Sequence, residues 1–246
     1  MDEYITINQV NVKDEHLCCA IADKKHQVGV ELKKKWISER ISEGHVFQKL
    51  NVQGKVFIEY APLENAWVPI HGDNYIYIYC LWVSGSFSKK GYGDQLLKNC
   101  IADAKKQNKN GVCVISSTKK KPFTSDKKYF QKYGFNVVDT IDDYELLALS
   151  FNSTVPAFND SARLQTIPSK NLTIYYGDQC PYINNCIKEI EEYCSLTNLN
   201  LNLVKIDSIE KAKSVPCVFN NWAVFYQGKF VSTILLNANS LKKLIG

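Results

Sequence analysis

The chain has 246 residues, 22% of them charged and 45% hydrophobic, and carries a net charge of +5. At about 150 residues per domain that length predicts one or two domains, and the hydrophobic share excludes a disordered or low-complexity chain. The basic excess is too weak to imply nucleic acid, no apolar run approaches the roughly 18 residues that span a membrane, and the acidic start MDEYITINQV lacks the apolar stretch of a signal peptide. Nine scattered cysteines, an odd count, point to free thiols in a reducing cytoplasm; without paired Cys-x-x-Cys motifs no structural metal is expected.

In chain order, EYITINQV alternates as a strand does, and HLCCAI, with Cys18 and Cys19, reads as a second short extended piece. Gly29 to Glu43 carries Val30, Leu32, Trp36, Ile37 and Ile41 at helical spacing, and Gly44 suits its C-terminal cap. HVFQKLNV and KVFIEYAP, parted by Gln53–Gly54, form a hairpin. YIYIYCLWV, 75–83, is apolar on both faces, as a central buried strand is. The helix Asp94–Gln107 follows, with Leu96, Leu97, Cys100, Ile101 and Ala104 along one side. GVCVISS, 111–117, is a short apolar strand. Ser125 and Asp126 cap a helix DKKYFQKY that Gly134 ends, and FNVVDT and YELLALSF make a last strand pair. The order predicts a mixed α/β sheet that opens where a glycine turn joins the central strand to its helix.

Phe151 to Lys170 is rich in Asn, Ser and Pro and reads as a linker between domains at 1–150 and 171–246. The second domain runs strand LTIYY, a helix from Pro181 to about Cys194, strand LNLNLVKI, a short helix near Ser208–Lys213, strands CVF, AVFYQ and KFVST, and a terminal helix SLKKLI. Ile183, Cys186, Ile187, Ile190 and Cys194 form one apolar helix stripe.

The glycine turn carries the chemistry. Gly91 and Gly93 let the backbone turn tightly and leave N–H groups bare; a helix dipole stands behind them, and Lys89 and Lys90 add positive charge that attracts phosphate. Two nucleotide motifs are excluded. The dinucleotide fingerprint needs a third glycine where Leu96 stands, and the P-loop needs Gly-Lys-Ser/Thr, whereas Tyr92 and Asp94 follow the two glycines here. For Lys119, Lys120 and Lys121, phosphate contact and a solvated loop both stay open. The histidines at 16, 26, 45 and 71 have no metal-ligand spacing and are given no role.

CLWVSGSFSKKGYGDQLLKNCI (80–101), VCVISS (112–117) and KKYFQKYGF (127–135) resemble the GNAT family of N-acetyltransferases, and the whole chain resembles its subgroup with a C-terminal YoaP-like domain. The implied fold is α/β: a GNAT-type mixed sheet with helices on both faces, then a smaller thioredoxin-like α/β domain. The family's Gln/Arg-x-x-Gly-x-Gly/Ala turn corresponds to Ser88–Gly93, with Ser88 in the first place. The resemblance implies acetyl-CoA as cofactor. Its pantetheine would pair with backbone near Trp82, Val83 and Ser84, and its pyrophosphate would accept N–H groups from Lys89, Lys90, Gly91, Tyr92 and Gly93. An amine, small-molecule or peptide, attacks the thioester directly.

Glu59 is the first choice of base, against a plain solvated strand carboxylate; Glu64 is the second. The family's thiolate-protonating tyrosine falls on Phe130, which leaves Tyr129 or Tyr133 to substitute. Cys180 opens a helix where thioredoxin-like proteins keep a reactive thiol, and Pro216 stands at that fold's cis-proline position. Cys186, six residues on, points to another side of the helix, so we expect a substrate- or partner-binding role for this domain, with Cys180 as a single reactive thiol. The alternative is a thiol–disulfide or CoA-responsive binding protein without acetyl transfer. A homodimer is compatible with either.

Overall fold

The computed structural model describes residues 3–17, 20, 23–122 and 124–245. The chain divides into two compact units. The first comprises residues 1–22, 34–66 and 70–158, and the second 23–33, 67–69 and 159–246.

The first unit is built on a seven-stranded mixed sheet. Its strands are β1 (Tyr4–Thr6), β2 (Val46–Leu50), β3 (Val56–Pro62), β5 (Tyr75–Val83), β6 (Gly111–Ser117), β7 (Asn136–Ile141) and β8 (Tyr144–Ser150), in the order β1-β2-β3-β5-β6-β8-β7. Only β5 and β6 run parallel, and α2 (Tyr92–Lys106) crosses between them. The α2 stripe Leu96, Leu97, Cys100 and Ala104 is fully buried against Val56, Ile58, Tyr60, Ile76 and Ile78. A short helix, α3 (Lys127–Gln131), adds Phe130 to the same core; Asp126 caps it by accepting from the Tyr129 N–H. The opposite face receives Trp36 from α1 (Gln27–Arg40), edge-on to Tyr79 at 5.8 Å between ring centres. Residues 34–40 of α1 belong to this unit and 27–33 to the other. Gly44, at φ +87°, closes the turn after the helix, the left-handed conformation that favours glycine at a cap.

The expected strands thus form, with two differences. His16 and Leu17 lie in no strand, and Cys18 and Cys19 fall outside the described residues. The segment 151–170 is not a bare linker either. β9 (Ala157–Phe158) pairs with β4 (Ile70–His71), a short 3-10 turn runs through Asp160–Arg163, and Phe158 and Ala162 are buried. Two apolar side chains set among Asn, Ser and Pro give too short a pattern for any period to show.

The second unit holds a four-stranded sheet of β10 (Leu172–Tyr176), β11 (Leu201–Lys205), β12 (Trp222–Tyr226) and β13 (Lys229–Ser232), ordered β11-β10-β12-β13. β10 and β11 are parallel and the other pairs antiparallel. α4 (Ile183–Thr197) connects the parallel pair, α5 (Ile209–Lys213) is capped by the Ser208 hydroxyl, and α6 (Ala238–Ile245) closes the chain. Ile183, Ile187, Ile190 and Cys194 of α4 enter the core, as their spacing predicts, and Cys186 packs at its border. Two expectations are corrected. Cys217–Phe219 is buried irregular chain rather than a strand, and no peptide bond among the described residues is cis, so Val215–Pro216 is trans. None of the seven described cysteines is joined in a disulfide, and no described helix is long and apolar enough to cross a membrane.

Candidate active site

The centre of the first unit is a fault in β5. Glu59 stands opposite Cys80, but Tyr60 stands opposite Ile78, so Tyr79 is an extra residue. Such a bulge flips the alternation of side chains. Before it, Ile76 and Ile78 face the α2 core; beyond it, Leu81 and Val83 do. β5 pairs with β6 only through Tyr75, Ile76 and Tyr77. From the bulge onward the two strands part, and the edge of β5 that would have met β6 is left open.

The backbone groups on that edge follow from one hydrogen bond. Ser84 N–H donates to Lys55 O at 3.1 Å. In an antiparallel pair, every second residue turns its N–H and C=O the same way. Trp82, like Ser84, therefore aims at β3, while Leu81 and Val83 aim into the opening. Of the three strand residues expected there, Val83 stands on the open edge. Leu81 was missed, because only the register shows which parity faces out. The Trp82 side chain is 47% exposed.

At the mouth of the opening the chain turns through Gly85–Phe87 and enters α2. Lys89 and Gly91 both have positive φ, +62° and +82°. Gly91 is the N-cap and offers no side chain, so no side-chain group caps the first amides of α2. The next hydrogen bond, Gln95 N–H to Gly91 O, begins the helical ladder only at Gln95. Lys89 and Lys90 are exposed beside these amides. A Cβ on Gly93 would lie 3.4 Å from the Tyr129 hydroxyl and 3.6 Å from a Val83 methyl, so turn, open strand and α3 converge on this glycine.

Tyr129 is the informative neighbour. Its hydroxyl is buried and meets no partner in hydrogen-bonding geometry. Burial drives its pKa far above the ordinary phenol range, with the Asp94 carboxylate and Tyr133 adding to the effect. Tyr133 is raised too, by desolvation and then by Asp94. Both phenols therefore hold their protons at neutral pH, and each can donate a hydrogen bond as well as accept one. Phe130, next in line, is 2% exposed and packs edge-on against Phe135 at 5.1 Å.

On the opposite face of the sheet, Glu59 is fully buried. Its Oε1 lies 3.0 Å from Nε2 of His45, which is 4% exposed and precedes β2 directly. Trp36 meets the imidazole edge-on at 4.9 Å and Tyr79 lies 5.4 Å away. Glu59 is thus no solvated strand carboxylate, and sequence reasoning missed His45, since a His–Glu separation of 14 residues has no motif. Glu64 is engaged elsewhere, in a surface pair with Lys109 at 3.0 Å. Lys121 pairs with Asp143 at 3.3 Å and covers the Tyr144 ring, which accounts for it without phosphate. In the second unit, Cys180 lies on a cavity of about 100 Å³ with Tyr176, Asp178, Ile183, Ile187 and Lys205.

A parallel strand pair thus parts beside a bulge, with bare helix amides at the mouth and a protonated buried phenol beside them, in an α/β unit of the kind found in acyltransferases. The Acetyltransferase (GNAT) family matches residues 11–135, and the YoaP-like family matches residues 200–243. The chain is 38% identical over 245 residues to the uncharacterized N-acetyltransferase YoaP of Bacillus subtilis (strain 168), covering 98% of each. The chain belongs to the GNAT family of acetyltransferases and carries a YoaP-like C-terminal region. Solved structures similar to it include PaiA N-acetyltransferase from Thermoplasma acidophilum in complex with coenzyme A (TM-score 0.44, 13% identity, 61% of this chain and 99% of that one). Another is a GNAT family acetyltransferase from Brucella melitensis in complex with acetyl-CoA (TM-score 0.42, 11% identity, 65% and 95%).

Proposed function

We propose that the chain transfers an acetyl group from acetyl-CoA to an amine, small-molecule or peptide, by direct attack. The observation that carries this is the convergence of the open β5 edge, the uncapped α2 amides and the Tyr129 hydroxyl on Gly93. The N–H groups from Lys89 to Gly93, continued by Asp94, bind the diphosphate, with Lys89 and Lys90 adding charge. The backbone of Leu81 and Val83 binds the pantetheine amides. Acetyl-CoA supplies the activated thioester. Glu59 accepts the proton of the incoming amine through water, since its burial keeps it from direct reach. Tyr129 donates its proton to the departing sulfur; Tyr133 and Asp94 set its environment.

We further read the second unit as thioredoxin-like. The parallel β10/β11 pair beside antiparallel β12 and β13 supports this, as do the helices that follow β10 and β11. Cys180, beside the start of α4, is its single candidate thiol. Seven described cysteines that form no disulfide favour a cytoplasmic setting.

The test is a panel of amines incubated with acetyl-CoA while thiol release and N-acetyl product are followed. We expect at least one amine to be acetylated, and Glu59→Gln to slow it about a hundredfold or more, the range a general base supplies. CoA binding without release for any amine would contradict acetyl transfer.

A further inference from the structure

We propose that His45 is a positioning residue for Glu59, holding the carboxylate in the orientation and charge state that lets it act as base. This rests on Glu59 being that base. The two side chains are enclosed together, 2% and 0% exposed, with Nε2 and Oε1 3.0 Å apart. For Glu59 to act as base its carboxylate is ionised and only accepts hydrogen bonds, and the bond to His45 then takes its proton from Nε2. The ring has little freedom to give it up by rotating, because Trp36 stands edge-on to it at 4.9 Å and Tyr79 is packed at 5.4 Å. The bulge at Tyr79 is what brings that ring to the pair while turning Leu81 into the opening. One structural fault thus serves both halves of the site: it frees a strand edge and walls in the base.

A buried carboxylate stays ionised only when a donor or cation offsets its desolvation. Among the described residues, several titratable or charged groups lie around the pair. Tyr79 borders the imidazole, Tyr77 packs on Tyr79 at 5.1 Å, and Cys80 stands across the ladder from Glu59. Burial holds Tyr77 far above the ordinary phenol range, so it keeps its proton. Behind Trp36 lies Arg40, whose guanidinium is bridged to Glu39 and Glu43. His45 is a donor in direct contact with the carboxylate.

The experiment uses the full chain labelled with 13C at the glutamate carboxyl, and the Glu59→Gln variant assigns the Glu59 signal by its loss. The carboxyl is titrated by NMR in wild type, His45→Leu, His45→Asn and His45→Gln. Asn keeps the site polar but does not reach Oε1, whereas the longer Gln places an amide N–H near the Nε2 position. We expect the Glu59 midpoint to rise by about one pH unit or more in His45→Leu and His45→Asn, and to stay near wild type in His45→Gln. With the amine panel, the same two variants should lose about tenfold or more in kcat at unchanged KM for acetyl-CoA, with His45→Gln restoring most of it. If His45→Leu is too unstable to measure, His45→Asn decides. An unmoved midpoint in the variants that lack the donor overturns the proposal, and so does a His45→Gln variant as slow as the other two. Glu59→Gln as active as wild type would instead defeat the base assignment while the titration still decides the link between the two residues.

Discussion

Tyr129 and Phe130 show how much hangs on a single step along a helix. Asp126 caps α3 through the Tyr129 N–H, which fixes the phase of the helix. That phase sends Phe130 into the core and the Tyr129 hydroxyl toward Gly93. The sequence narrows the acid to two tyrosines but does not rank them, because five residues of helix are too few to define a face. Tyr129→Phe should lower kcat about a hundredfold with acetyl-CoA affinity unchanged by calorimetry. Affinity falling in step with kcat would show that the hydroxyl binds rather than reacts. Glu64→Gln offers the contrast. Its carboxylate is half exposed, and the Gln amide oxygen can still accept from Lys109, so turnover and thermal stability should both stay near wild type, within about 1 kcal/mol.

Among the elements, β5 and the turn after it do the positioning. The turn was legible, since two glycines before an amphipathic stripe leave few structural alternatives. The bulge was not. A strand apolar on both faces hides its own parity, so an inserted residue leaves no mark on the pattern. The stretch Trp82–Ser84 is legible for that reason only as a neighbourhood, and the register adds that Leu81 and Val83 turn their backbone groups away from β3. Gly91 has open space around its Cβ position but a φ of +82°, so its limit is strain rather than crowding. Gly91→Val should distort the turn at a cost of about 1–2 kcal/mol and weaken CoA binding about tenfold. Calorimetry on the variant checks this, and an unchanged Kd would show that the turn does not hold the diphosphate.

For the molecule as a whole, composition and element order do not convey how the chain is shared between its two compact units. Residues 23–33 and 67–69 cluster with the second unit although they interrupt the first in sequence, and a helix continuous through that boundary carries no punctuation at it. Within the second unit, His26 is 5% exposed and edge-on to Tyr182 at 4.5 Å. Burial holds its imidazole below the ordinary range, with Asp23 opposing in part. The unfolded chain therefore takes up the proton first. The His26 contribution to stability is whole above about pH 6.5 and is lost as pH falls, until the folded His26 is itself protonated. His16, in the first unit, is lowered by burial in the same sense. The melting temperature should decline between about pH 7 and 5, and His26→Gln should flatten part of that slope. An equal slope in the variant would assign the loss elsewhere.

The most direct test of the account is a crystal structure of the chain with CoA. We expect the diphosphate oxygens within hydrogen-bond distance of the amides between Lys89 and Asp94, and the pantetheine along the backbone of Leu81 and Val83. CoA bound elsewhere, or a β5 edge closed against β6 in the complex, would contradict it.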